Sequence, residues 1–199
     1  MIARMDTTDP RETKRAWRAR AAALRAAHAA DAPGADPAPL VLADPAWRGA
    51  RTVALYLPLG AAEPDTAGLL AACRRDGRAV AVPAWDSAAK AYFWAALAPD
   101  EPLARGPLGI PQPAAPRRVD AASIDLFVVP GVLFDGAGTR LGHGAGHFDR
   151  LLAGRREDAT VLGLAHPWQR VAGRLPRGGH DVPMDRVLAA PALDGPPRR

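Results

Sequence analysis

The chain is short of cysteine, lysine and long apolar runs, and each shortage closes off a class of protein. A single cysteine, Cys73, excludes an internal disulfide and a cysteine-based zinc cluster. No apolar stretch approaches the roughly 20 residues that cross a bilayer. The opening segment MIARMDTTDPRETKR lacks the apolar centre of a secretory signal. A cytoplasmic protein with no membrane partner is the expectation. Internal repeats are missing, and the 21 prolines and 19 glycines are dispersed instead of forming a low-complexity tract.

Charge is present in quantity but in an unusual form. There are 26 basic residues against 21 acidic ones, giving a net charge of +5, and only Lys14 and Lys90 among the basic ones are lysine. The arginines are spread along the chain, with no basic run interleaved with aromatics of the kind that binds single strands. Nucleic acid is therefore not an expected partner, and phosphorylated small molecules remain. With 199 residues and 48% hydrophobic content, the chain suits one domain over 1–199. Residues 1–9 and 191–199 are expected to fray, and a monomer is the expected state.

The segment 10–30 reads as an alanine- and arginine-rich helix with Pro10 near its start. Lys14 and Arg18 share one of its faces, which by itself suits a solvated basic surface. Arg51–Leu57 is the first clear strand. A helix over Thr66–Arg75 follows, with Asp65 as its N-cap and Gly77 at its end, and then a strand over Arg78–Pro83. Strand, helix and strand in about 30 residues is a βαβ unit, which favours a parallel sheet. Ala91–Leu97, Ile124–Pro130 and Thr160–Ala165 read as further strands, whereas Leu103–Pro113 is too rich in proline for a regular element. The fold class is α/β: a three-layer α/β/α sandwich with a mainly parallel, Rossmann-like sheet. Ligands of such sheets bind beyond the carboxyl ends of the strands.

The densest stretch is Phe134–Arg150, FDGAGTRLGHGAGHFDR. Gly142, Gly144 and Gly146 alternate between Arg140 on one side and Asp149-Arg150 on the other. An apolar strand precedes the stretch, and HFDRLLAG has the spacing of a short helix. Strand, glycine loop and helix is a setting in which backbone N–H groups converge on phosphate. The glycines alone fit a ligand-free turn equally well.

Taken in order, these motifs resemble the 5-formyltetrahydrofolate cyclo-ligase (methenyltetrahydrofolate synthetase) family. The resemblance runs from about Lys14 to Leu188 and rests on five ordered pieces. They are Lys14-Arg15 with Arg18, YLPLGAAEPDT with Glu63, Ile110–Pro113, Phe134–Arg150, and Asp181, Pro183 and Asp185. The family joins ATP hydrolysis to cyclisation of 5-formyltetrahydrofolate, giving 5,10-methenyltetrahydrofolate, ADP and phosphate, with magnesium as cofactor.

The resemblance implies that Lys14, Arg15 and Arg18 bind ATP. So does the loop formed by Arg140, Leu141, Gly142, His143, Gly144, Ala145, Gly146, His147 and Phe148. It implies folate contacts at Leu57 and Glu63 and along His143, Gly144, Ala145, Gly146 and His147, and magnesium at Asp149 and Asp185. Lys14, Arg140 and Glu63 would carry the catalytic roles. No covalent nucleophile is called for, in keeping with the scarcity of serine and cysteine near the motifs.

Duller readings stand beside these. Asp149 suits an N-cap or an ion pair with Arg150, and Asp185 a loop acid. Glu63 suits a helix start, and His143 and His147 suit plain loop positions. Trp85, Phe93 and Trp94 suit core packing better than a ligand pocket. Two departures from the family pattern leave room for a divergent relative that binds ATP and acts on another metabolite, or binds folate without turnover. His147-Phe148 replaces an aromatic followed by tyrosine, and the Gly60–Ala62 loop has an extra residue.

Overall fold

Short strands buried on both faces dictate the architecture. In the computed structural model, which describes residues 10–28, 36–60 and 62–189, the first described elements are helix α1 (Pro10–Ala27) and two short helices, α2 (Ala38–Ala43) and α3 (Pro45–Gly49). Strand β1 (Thr52–Ala54), helix α4 (Ala67–Arg75) and strand β2 (Ala79–Asp86) form the expected βαβ unit, and β1 pairs with β2 in parallel. Strand β3 (Ala91–Ala96) folds back antiparallel on β2. Then come β4 (Leu103–Arg105), β5 (Pro111–Pro113), β6 (Arg117–Arg118) and β7 (Leu126–Val129). Next are β8 (Leu133–Asp135), β9 (Arg140–Leu141), α5 (His147–Leu152), β10 (Thr160–Ala165), β11 (Arg170–Val171) and β12 (Arg186–Ala189). The tails expected to fray lie outside the described residues, as do Ala61 and the last positions of the helix read over 10–30.

The main sheet has the order β12-β10-β7-β1-β2-β3-β6, with its first five strands mutually parallel. Alternation along β7 shows how both faces are covered. Leu126 and Val128 join Val41, Trp47, Leu69 and Cys73 beneath α2, α3 and α4. Phe127 and Val129 join Leu151, Leu152, Phe134 and Met184 on the α5 side. Continuous apolar strands are what a doubly covered parallel sheet requires. Arg186 fastens the edge strand β12 to the α2–α3 junction through two 2.7 Å bonds to the buried Asp44.

Several expectations need correction. The ladder of β1 stops at Ala54, three residues before the expected end, because Leu55–Leu59 leaves the sheet after Leu55 N–H has bonded Ala81. Thr66, not Asp65, is the N-cap of α4; its hydroxyl donates to the Tyr56 carbonyl, while Asp65 accepts from Ala67 N–H. The segment 103–113 is not irregular, since β4 and β5 pair as a hairpin. Its prolines are tolerated because this two-stranded ribbon has free edges.

Most consequentially, the glycine stretch does not run directly from strand to helix. Its first half is the β8–β9 hairpin, which with β11 makes a second, three-stranded sheet. The buried Asp135 shapes that hairpin by accepting from Ala137, Thr139 and Leu175 N–H groups. Helix α1 packs on this small sheet, not the large one, with Ala21 buried against Leu133 and Leu141.

Candidate functional site

The strand order places a crevice. From β1 the chain moves to β2 on one side, and from β7 it moves to β10 on the other. The connections therefore diverge between β1 and β7, the kind of point where open α/β sheets bind ligands. A cleft of about 400 Å³, counting its mouth, lies there. It is lined by Tyr56, Leu57 and Glu63 after β1, Pro130 after β7, Tyr92 of β3, Ile110, and Phe148 and Leu151 of α5. The lining is almost wholly apolar, with Glu63 as its one carboxylate.

Local bonds hold Glu63 in place. Tyr56 donates its hydroxyl to the Pro64 carbonyl at 2.6 Å, and burial pushes its pKa well up, so the phenol stays a donor. The Glu63 carboxylate accepts Leu59 N–H at 2.9 Å, which closes the loop between them. Leu57 and Glu63 therefore line one cleft.

Three arginines converge on the glycine loop. Arg18 of α1 donates from Nε to the Gly142 carbonyl at 2.9 Å, and a Cβ on Gly144 would lie 3.3 Å from its guanidinium carbon. Arg140 would lie 3.0 Å from a Cβ on Gly142, and Arg150 3.3 Å from one on Gly146. The loop is thus glycine at the places where the ends of arginine side chains come close to the backbone. Gly144 has φ +112°, which L side chains rarely adopt.

Arg140 itself is 5% exposed and donates to Asp149 Oδ1 at 2.8 Å, with the Phe148 ring 5.7 Å away. It stands beneath the loop and reaches outward only through that carboxylate.

Two carboxylates face this cluster. Asp149 accepts Arg140 and Val182 N–H on Oδ1, and its other oxygen is unengaged among the described residues. Asp181, one residue before Val182, accepts Lys14 Nζ at 2.5 Å and Gly178 N–H at 2.6 Å, both on Oδ2. Burial raises the Asp181 pKa, but Lys14, the Gly178 N–H and the Arg140 charge outweigh it and hold the carboxyl below its ordinary value.

Asp185 is placed elsewhere. It is exposed at the amino end of β10, where Val161 N–H binds its Oδ2 at 2.7 Å. Of the two acids in the Asp181–Asp185 motif, Asp181 is the one beside Val182, whose N–H bonds Asp149.

The remaining candidates divide in the same way. Arg15 is exposed beside Lys14, and the Leu141 side chain is buried in the core beneath α1. His143 and Ala145 are exposed on the loop. Partial desolvation, then the charges of Arg25 and Arg18, lower the His143 pKa against the opposing pull of Glu63. His147 packs edge-on to Tyr92 at 4.9 Å and to Trp85 at 6.3 Å, and burial followed by the Arg150 charge lowers its pKa, leaving the ring neutral at pH 7. Trp94 is core, with Nε1 bonded to the Leu151 carbonyl, and Phe93 is covered by Arg118. Sequence reading missed Tyr92 and Pro130 as cleft residues. Only their position at strand ends could have marked them.

Comparison with known proteins decides the family. The pattern of the 5-formyltetrahydrofolate cyclo-ligase family matches residues 10–190. The chain belongs to that family. Cyclo-ligases of this name from Mycolicibacterium smegmatis and Haemophilus influenzae align at 32% and 30% identity over 145 residues each. The alignments cover 69% and 71% of this chain, and 73% and 76% of those proteins. The NMR structure of Aquifex aeolicus 5,10-methenyltetrahydrofolate synthetase superposes over 96% of both chains, with a TM-score of 0.68 at 24% identity, a likeness of fold. The cyclo-ligase family's reaction is the ATP-dependent conversion of 5-formyltetrahydrofolate to 5,10-methenyltetrahydrofolate. Among the described residues no helix is long and apolar enough to cross a membrane.

Proposed function

We propose that this chain catalyses the magnesium- and ATP-dependent cyclisation of 5-formyltetrahydrofolate to 5,10-methenyltetrahydrofolate, releasing ADP and phosphate. The observation that carries this reading is the meeting of two unlike surfaces at one switch point. One is an apolar cleft with a single carboxylate, and the other is a glycine loop held against Arg18, with Lys14 on the neighbouring Asp181.

The chemistry needs both surfaces. A formamide oxygen is a poor leaving group, so the terminal phosphoryl group of ATP passes to it, breaking the bond to ADP and forming an oxygen–phosphorus bond at the formyl carbon. N10 then attacks that carbon and gives up its proton, and the carbon–oxygen bond breaks to release phosphate. Transfer of this kind depends on positioning and on stabilising spread negative charge. Lys14 and Arg18 supply cations, and the loop backbone supplies N–H donors. Glu63 accepts from the N–H groups of the pterin, whose flat ring suits the apolar walls. The cleft also keeps water from the phosphorylated formyl carbon.

Magnesium fits the residues present, although the second ligand differs from the expectation. No group of three His, Cys, Asp or Glu side chains gathers among the described residues. A hard cation that keeps waters and takes phosphate oxygens is content with one or two carboxylates. Asp149 and Asp181 would hold it, each through its unengaged oxygen, and when bound it would neutralise phosphate charge. Asp185 is less suited, being tied to Val161. The reading is completed by a monomer that acts on a soluble folate in the cytoplasm.

The test is absorbance at the near-ultraviolet band of the methenyl product, with 5-formyltetrahydrofolate, ATP and magnesium supplied. An ATP-dependent rise is expected in the wild type. It should fall about a hundredfold in Lys14→Ala and in Asp149→Ala, the order expected for losing a group that stabilises transition-state charge. A folded protein that binds ATP yet gives no rise would shift the reading to a relative acting on another metabolite, with Phe148 the first position to restore to tyrosine.

A further inference from the structure

Helix α1 carries one more cation on its loop-facing side than the phosphate site employs. Lys14, Arg18 and Arg25 recur at intervals of four and seven and, with Ala21 between them, share one side of the helix. Lys14 is engaged by Asp181, and Arg18 by the Gly142 carbonyl. Ala21 is buried against the small sheet, which fixes the rotation of the helix. Arg25 has no such partner: its Nε is shut away from solvent without a hydrogen bond, and no described residue forms an ion pair with it. The other guanidinium groups at the loop, on Arg140 and Arg150, bond Asp149 and His147.

Position separates Arg25 from the phosphate cations. At 1.5 Å per residue it stands about 10 Å further along the helix than Arg18. The loop itself turns at Arg18, between Gly142 and Gly144. Past that turn stands the exposed His143, which is within electrostatic reach of both Arg25 and the cleft's Glu63. The far end of the basic row and the cleft's carboxylate thus act on the same loop residue.

The proposed substrate has an anionic part that the cleft cannot receive. Its pterin and aminobenzoyl rings suit apolar walls, but its glutamyl group carries two carboxylates, and the cleft lining holds Glu63 and no cation. We propose that Arg25 recognises the glutamyl carboxylates of the folate, making it a specificity residue outside the phosphate site. This rests on the cyclo-ligase reading above. A guanidinium pairs a carboxylate through two parallel N–H bonds, which a single ammonium does not reproduce.

The experiment compares 5-formyltetrahydrofolate with its analogue lacking the glutamyl group, in wild type, Arg25→Ala and Arg25→Lys. KM for both folates and for ATP is measured, together with binding of both folates by equilibrium dialysis. The wild type is expected to favour the glutamylated substrate by about tenfold, the order of one charge-assisted pair. Arg25→Ala should erase that preference by raising only the KM for the glutamylated substrate, and Arg25→Lys should restore part of it. An equal loss on both folates, or a loss confined to the KM for ATP, would overturn the assignment, as would an unaltered preference. If the wild type binds both folates equally well, the cyclo-ligase reading stands and Arg25 alone is misassigned. If it neither binds nor converts either, the cyclo-ligase reading falls and this one with it.

Discussion

Two groups of glycines surround the β8–β9 hairpin and the loop after it, and they serve opposite ends. Gly131, Gly138 and Gly163 make room for fixed matter. A Cβ on Gly131 or Gly163 would meet the buried Phe134 ring at 2.5 and 2.6 Å, and one on Gly138 would run into the Met184 carbonyl. Gly142, Gly144 and Gly146 instead face the ends of arginine side chains at 3.0–3.3 Å. The first group lets solid parts of the fold close on one another. The second leaves a backbone surface bare so that charge lies along it. The residue type is the same, and only the neighbour tells structure from site.

The difference is open to test, beginning with the largest effect. Gly138 has φ +75° and accepts Met184 N–H at 2.8 Å, so Gly138→Ala combines backbone strain with a clash against main chain that cannot step aside. The expected loss is on the order of 3 kcal/mol in urea unfolding, and a variant as stable as wild type would dissolve the distinction. Gly144→Ala should behave otherwise, because the atom it meets is the far end of Arg18. Its φ of +112° costs stability of about 1 kcal/mol. The characteristic outcome is instead an ATP affinity weakened about tenfold, from displacing one charge-assisted contact. Calorimetric titration with ATP reads this directly, and an unchanged affinity would return the loop to the packing group.

The smallest effect concerns the clasp of Lys14 on Asp181. The Asp181 pKa lies below 3.8 in the folded protein. The folded state therefore holds fewer protons there than the unfolded chain, and stability from this carboxylate is complete above that value and fades as pH falls through it. Wild type should exceed Asp181→Asn by about 1 kcal/mol or less at pH 7, given the partial exposure of both partners. That margin should shrink below pH 4. Urea unfolding at pH 7 and pH 3.5 checks it, and a margin that grows in acid would contradict the pairing.

What the sequence made legible follows local rules. The βαβ unit, the buried strands and α5 rest on periodicity, and they appear in the expected order, although β1 ends early and Thr66 takes the cap expected of Asp65. The β8–β9 hairpin was hidden because it is held by Asp135 reaching Leu175, a partner 40 residues away. The motif of Asp181 and Asp185 offered two acids at equivalent spacing. Only the packing of Val182 against Asp149 and of Lys14 against Asp181 separates them. Likewise Arg140 reads as a free cation in sequence but is buried under its own loop. Its effect on a phosphate would pass through Asp149, whose oxygen it fixes.

The Lys14–Asp181 contact joins positions 167 residues apart. Contacts so distant in the chain close late, since the intervening polypeptide must be ordered first. During synthesis α1 emerges early, with its row of cations uncovered. It gains its acidic counterpart only when the 178–181 turn leaves the ribosome, just ahead of edge strand β12. A nascent chain is thus a basic amphipathic helix in search of a partner for most of its production. The surface that accepts it is begun by β8, β9 and the glycine loop and completed only by that late turn.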